Sequence, residues 1–258
     1  MLLCVRHDSV VIHIQDLFFN ESTLLTGNDF KITDNITVHQ PTLEEIFDYG
    51  EDKYWNLAGL LTATPSDLKS ELFDKFNLEF DKVDEFYVFC LIALGIPKEI
   101  SKIFLGNINF QSYHIDFKEP DFNIVLADKK KNIIFDEIIH AIFSEYLRKM
   151  HGFTKNIEIA GSDETRKFMI DWARDEIEES KNKKFKSILL PLIQFAVNSA
   201  GFKYDHKSVL KLPIYVFMHS YRQILHEKYV DNLFGGVYAG TVEYKKVKKD
   251  LNYILECS

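Results

Sequence analysis

Several groups of side chains have types and spacings that could carry chemistry, and each is incomplete. Glu137 and His140 stand at Glu-x-x-His spacing on one helical face, an arrangement that di-iron bundles use twice. No second such pair occurs in the sequence, so half of that ligand set is missing. His226-Glu227 opens like a zinc-protease helix, but Val230 occupies the position of the second histidine. His219, Arg222, Gln223 and His226 share one face at helical spacing. Such a face could bind an anion or titrate near neutral pH, but nothing else in the sequence converges on it. A polar surface toward solvent or another subunit is the simpler reading. Gly235-Gly236-x-x-x-Gly240 lacks the Gly-Lys-Ser/Thr ending of a phosphate loop and follows a helix rather than a strand. Gly235, Gly236 and Gly240 are therefore expected to end that helix and turn the chain tightly around Tyr238. Lys245, Lys246, Lys248 and Lys249 form a small basic cluster that reads as a solvated face, and with the His219 face makes a candidate interaction surface. Ser9, Ser220 and Cys90 have no nucleophile elbow or histidine partner. The expectation is a protein with no catalytic residues, cofactor or metal.

The elements that position these residues are mainly helical. Leu2–Arg6, Val10–Gln15 and the two halves of Phe30–Val38 read as strands, with Asp34-Asn35 suited to a tight hairpin. Thr42 and Glu45 have capping-box spacing, so a helix begins after Pro41, and Gly50 separates it from a second over Glu51–Thr62. Thr64-Pro65 and Pro97 open further helices. Val83–Leu94 is apolar around most of its circumference and predicts a buried helix ending at Gly95. Asn109–Phe117 alternates, and Ile124–Leu126 and Ile133–Phe135 flank a charged tip, which predicts a hairpin. Phe135–Met150 repeats apolar residues at spacings of three and four and stops at Gly152. Ser162 caps a charged helix with Phe168, Met169, Trp172 and Ile177 as its apolar side. Pro191 predicts a kink inside Phe185–Val197. The last long helix should turn Ile214, Phe217, Met218, Tyr221, Leu225 and Tyr229 toward the core. The fold class expected is α+β, mainly α-helical, with N-terminal antiparallel strands, a mid-chain β-hairpin and a C-terminal helical bundle. In regions this is an N-terminal β part (1–40), a helical part (41–106), a hairpin (107–134) and a C-terminal helical part (135–258).

Composition limits the function classes. The 22 Phe and 12 Tyr among 258 residues point to aromatic packing between helices. Cys4, Cys90 and Cys257 have neither disulfide-scaffold nor zinc-finger spacing, which fits free thiols in a reducing compartment. The N-terminus MLLCVRHDSVVIHI has no signal-peptide pattern, and the apolar run Phe86–Ile96 is too short to span a bilayer. A cytoplasmic protein without membrane partners is expected. Charge is uneven: the balance from Lys181 to Ser258 is +7, against −8 for the whole chain and −15 for residues 1–180. Net acidity argues against non-specific nucleic-acid binding. The polarity reads most simply as two differently charged solvated faces, and it would also suit head-to-tail self-association or docking of the basic end on an acidic partner.

Several segments together carry a resemblance. They are Gln40-Pro41-Thr42-Leu43-x-Glu45-Ile46 with Gly50-Glu51 and Tyr54, then Lys130–Glu137 ahead of a helix ending Tyr146-Leu147-Arg148-Lys149. Gly201-Phe202-Lys203-Tyr204 follows, then Leu212-Pro213-Ile214-Tyr215-x-Phe217-Met218-x-Ser220 and Gly236-x-Tyr238-x-Gly240-Thr241-Val242. In these the chain resembles the tail assembly chaperone-like and tail-associated proteins of tailed phages infecting Gram-positive bacteria. It departs from that pattern where Ala239 replaces Ser/Thr and where His219 stands in place of an acidic or amide residue. The resemblance implies a non-enzymatic tail-morphogenesis protein in the host cytoplasm, binding tape-measure or tail-tube subunits. Alternative readings are a structural virion component (baseplate or tail completion) and a small-molecule or metal enzyme centred on His219, Arg222 and His226.

Overall fold

The computed structural model describes residues 22–106, 108–118, 123–128, 133–181, 183–243 and 245. The strands expected at Leu2–Arg6 and Val10–Gln15, and Lys246, Lys248 and Lys249, lie outside these residues. The described chain is α+β and mainly α-helical, with two small antiparallel sheets. It forms two compact units: one comprises residues up to Ser187 together with Leu210–Val216, the other Ile188–Val209 and the residues from Phe217 onward.

In the first unit, α1 (Ser22–Thr26) leads into a hairpin of β1 (Phe30–Thr33) and β2 (Ile36–Val38), turning at Asp34-Asn35 as the sequence predicts. Thr42 then starts α2 (Leu43–Tyr49) with the expected reciprocal cap: its hydroxyl accepts from the Glu45 N–H, and the Glu45 carboxylate accepts from the Thr42 N–H at 2.8 Å. The segment around Pro213 lies antiparallel to this start. The Ile214 N–H donates to the Pro41 carbonyl at 2.8 Å, and the Leu43 N–H to the Leu212 carbonyl at 3.0 Å. Two of the segments that carry the resemblance therefore meet in space. Gly27 backs onto the Pro213 ring so closely that a Cβ would lie 2.4 Å from it.

Helices α3 (Glu51–Leu61), α4 (Lys69–Phe76), α5 (Glu85–Ala93) and α6 (Lys98–Leu105) follow, with a 3-10 turn at Pro65–Leu68 where Pro65 fills an N-terminal position. The mid-chain strands make more than a hairpin. A 3-10 turn at Phe110–Ser112 takes up the start of the alternating run, and β3 (His114–Lys118), β4 (Asn123–Asp128) and β5 (Ile133–Phe135) form a three-stranded meander with β4 central. The register pairs Ile115 with Leu126 and Leu126 with Phe135.

Helix α7 (Glu137–His151) is the hub of this unit, packing on α3, α5, β1 and β5. The core around it is aromatic. Phe89 makes a T-shaped contact with Phe110, and Phe135 one with Phe143. α7 ends at Gly152 in left-handed conformation, with Phe153 N–H bonding back to the Arg148 carbonyl and Gly152 N–H to that of Lys149. After a segment without regular secondary structure, α8 (Asp163–Lys181) packs on α4. Its buried face is not the one expected. Arg166 and Ile170 are buried, whereas Phe168 and Trp172 are 63% and 57% exposed. Arg166 reaches Asp81 with its Nε at 2.8 Å and turns a charged residue into the anchor, which a hydrophobic-period argument does not anticipate.

In the second unit, α9 (Leu189–Val197) begins late enough that Pro191 lies in its first turn. No i−4 carbonyl is displaced there, so no kink is required. Helix α10 (Ile214–Tyr238) runs straight through Gly235 and Gly236, correcting the expected stop at the double glycine. Glycine permits a helix end without compelling one. The turn comes at Gly240 (φ +72°), where Thr241 N–H bonds to the Gly236 carbonyl and Gly240 N–H to that of Val237. Tyr238 is the last helical residue and is exposed. A Cβ on Gly236 would lie 2.8 Å from Val242 Cγ2, so the returning chain needs a glycine there. The core arc also shifts. Ile214, Phe217 and Ile224 are buried, while Leu225 and Tyr229, expected inside, are exposed.

Candidate binding cleft

The first unit carries an open cleft of about 600 Å3. It is bounded by α3, the Pro65–Leu68 turn and the end of α7, with Trp55, Leu60, Leu68, Arg148 and Phe153 among its lining. Sequence places each of these locally. Trp55 and Leu60 project from α3, and the Gly152 cap delivers Phe153 against Trp55, their rings 6.2 Å apart.

Behind the cleft, His151 is enclosed by aromatic rings: it stacks on Phe153 at 5.2 Å and meets Trp55 and Phe104 edge-on. Its Nδ1–H donates to the Leu147 carbonyl at 2.7 Å, so Nε2 accepts from the Tyr54 hydroxyl at 2.6 Å. Burial pushes the imidazole down to about 4, against a smaller opposing effect of the Leu147 carbonyl. An imidazole this deep, with both nitrogens engaged, orients structure and offers no proton to a ligand.

The polar wall is equally satisfied. Arg148, 5% exposed, donates to the Thr62 carbonyl at 2.8 Å and pairs with Glu85, which also takes Lys155. Glu85 is fixed in the first turn of α5, whose N-cap Asp84 accepts from Phe86 N–H at 2.8 Å. Burial works to raise the Glu85 carboxyl, but Arg148 and Lys155 outweigh it and hold the group below its usual range. Asp67 accepts from the Thr64 N–H and from the Asn156 amide. The cleft thus presents mixed polar and apolar surface, with Arg148 paired to Glu85 and Asp67 hydrogen-bonded to Thr64 and Asn156.

The residues singled out in the sequence lie elsewhere. His219, Arg222, Gln223 and His226 do share one side of α10, in the second unit; Arg222 and Gln223 are exposed, and the histidines half-buried. His226 Nε2 is buried without a hydrogen-bond partner. Lys245 is exposed. Glu137 and His140 separate by burial: Glu137 faces out, while His140 lies 4.4 Å from the Phe89 ring and is pushed down to about 4, mainly by burial. Among the described residues no group of three His, Cys, Asp or Glu could hold a metal. Cys90 is buried, its thiol pushed up to about 12 by burial and then by Asp84. No described helix is long and apolar enough to cross a membrane.

Sequence reasoning missed the cleft because Arg148 and His151 look like basic residues completing the last turn of a helix. Phe153, an aromatic directly after a stop glycine, was the one local signal available. Comparison with protein-family models, curated proteins and solved structures finds no match to this chain.

Proposed function

We propose that this protein works by binding, as a phage tail-morphogenesis factor that holds an apolar helix of a tape-measure or tail-tube subunit until assembly in the host cytoplasm. The cleft carries this reading. Its lining mixes Trp55, Leu60, Leu68 and Phe153 with polar residues such as Asn56, Asp67 and Arg148, and a groove of that mixed kind can take the side chains of an amphipathic helix. The resemblance noted in the sequence supplies the partner class. Leu60 is 37% exposed at the cleft, so Leu60→Glu can be made without opening the core.

The test is co-expression with each tail protein followed by pull-down. Association with a tape-measure or tube subunit that Leu60→Glu abolishes supports the reading. No association with any tail protein removes it. Mass spectrometry of purified particles separates the chaperone from a virion component, since only the latter remains in the finished tail.

A further inference from the structure

Between α7 and α8 the chain runs from Phe153 to Ala160 without helix, turn or bend, as a strap across the first unit. From Asn156 onward its residues alternate. Asn156, Glu158 and Ala160 are half-buried, while Ile157 and Ile159 are 70% and 80% exposed. The tie-down has the same period of two. Glu158 N–H donates to Ser66 Oγ at 3.0 Å and Ala160 N–H to Asp81 Oδ2 at 3.3 Å. The Glu158 carboxylate binds Lys69 at 2.6 Å, and Ala160 packs against the cluster of Leu72, Phe80, Val88 and Ile170.

The alternation of burial and of N–H bonds is that of extended backbone, in which the N–H and C=O of one residue point to one edge and those of its neighbours to the other. The bonds of Glu158 and Ala160 therefore fix which edge faces the body. They leave the peptide groups of Ile157 and Ile159 on the opposite edge, and those groups have no hydrogen-bond partner among the described residues. Two exposed β-branched residues on an unpaired edge form a template for strand pairing.

We propose that this strap pairs antiparallel with the same strap of a second copy, about a two-fold axis through Glu158. The register is self-complementary. Ile157 falls opposite the partner copy's Ile159 as a hydrogen-bonded pair, and Ile159 opposite its Ile157, so four peptide hydrogen bonds close. The charges agree with this occupant. The two Glu158 residues that meet at the axis are each neutralised by their own Lys69. Lys155, which also serves Glu85, stands at the start of each strap, and Asp163, held by Arg166, and Glu164 follow its end, so antiparallel pairing brings Glu164 of one copy toward the Lys155 end of the other. A contact of two short strands falls below the ~800 Å2 per partner of a standard interface, so the dimer is concentration-dependent. This inference stands independently of the function proposed above.

Analytical ultracentrifugation tests it. The expected mass rises from the 30.2 kDa monomer toward twice that value as concentration increases to about 0.5 mM, where even weak contacts are populated. The double variant Ile157→Lys/Ile159→Lys sets like charges opposite one another and should stay monomeric, with an unchanged circular dichroism spectrum because both side chains are exposed. Mixing Ile157→Cys with Ile159→Cys protein under oxidation should cross-link more than either alone, which reports the register itself. A wild-type chain that stays monomeric throughout overturns the proposal and leaves the edge to a strand of another protein. A dimer that survives the double lysine variant, or equal cross-linking in all mixtures, overturns it too.

Discussion

At the scale of single residues, the buried histidines decide how the protein responds to acid. His140 and His151 are 4% and 3% exposed, and both are pushed down to about 4. A folded pKa below the unfolded value of about 6.5 means that the neutral form is favoured by folding. The stability gained is full above about pH 6.5 and is lost as pH falls toward 4, reaching about 3 kcal/mol per histidine. Urea unfolding followed from pH 7.5 to 4.5 should therefore show a falling midpoint, and His140→Phe should flatten that slope. A slope unchanged by the variant would show that His140 is not the group titrating. The Arg148–Glu85 pair gives a second expectation at this scale. Arg148→Met leaves a half-buried carboxylate with Lys155 as its remaining cation, at a cost of up to about 3 kcal/mol. Adding Glu85→Met should recover part of that loss, because the uncompensated charge is removed. A double variant no more stable than the single one would contradict the account of the pair.

At the scale of elements, caps and glycines locate most boundaries, and the exceptions are instructive. Thr42 with Glu45, Gly50 and Gly152 all act where the sequence placed them, because each satisfies or releases backbone groups locally. The double glycine does not, since Gly235 and Gly236 keep helical bonding and Gly240 supplies the left-handed residue. Gly240→Ala should cost about 1 kcal/mol through its positive φ. Gly236→Ala should do similar damage by contact with Val242, whereas Gly235→Ala, with open space around its Cβ, should be neutral or slightly stabilising. Hydrogen exchange at the Thr241 and Val242 amides reads all three, since both bond to the Gly236 carbonyl. Pro191→Ala should change stability by less than about 1 kcal/mol, as a first-turn proline neither kinks nor caps the helix. A large loss there would restore the kink.

At the scale of the whole molecule, division into two compact units predicts unfolding that departs from a single cooperative step. Calorimetry should give a van't Hoff enthalpy below the calorimetric one, and equality of the two would show one cooperative unit. What the sequence by itself determined is local. Periodicity, capping boxes and turn residues fixed the mainly helical α+β class, the Asp34-Asn35 hairpin and the span of α7, because those signals act over a few residues. Which face of a helix is buried depends instead on what lies across from it. Arg166 is buried on α8 because Asp81, 85 residues away in sequence, meets it, and Phe168 and Trp172 are then turned outward. The cleft arises in the same way, from the approach of α3 to the end of α7, with Tyr54 and His151 97 residues apart and hydrogen-bonded. His219, Arg222 and His226 share a face at helical spacing, as any long helix would arrange them. Only tertiary packing could show that the aromatic cleft forms elsewhere, because burial and convergence are properties of distant segments brought together.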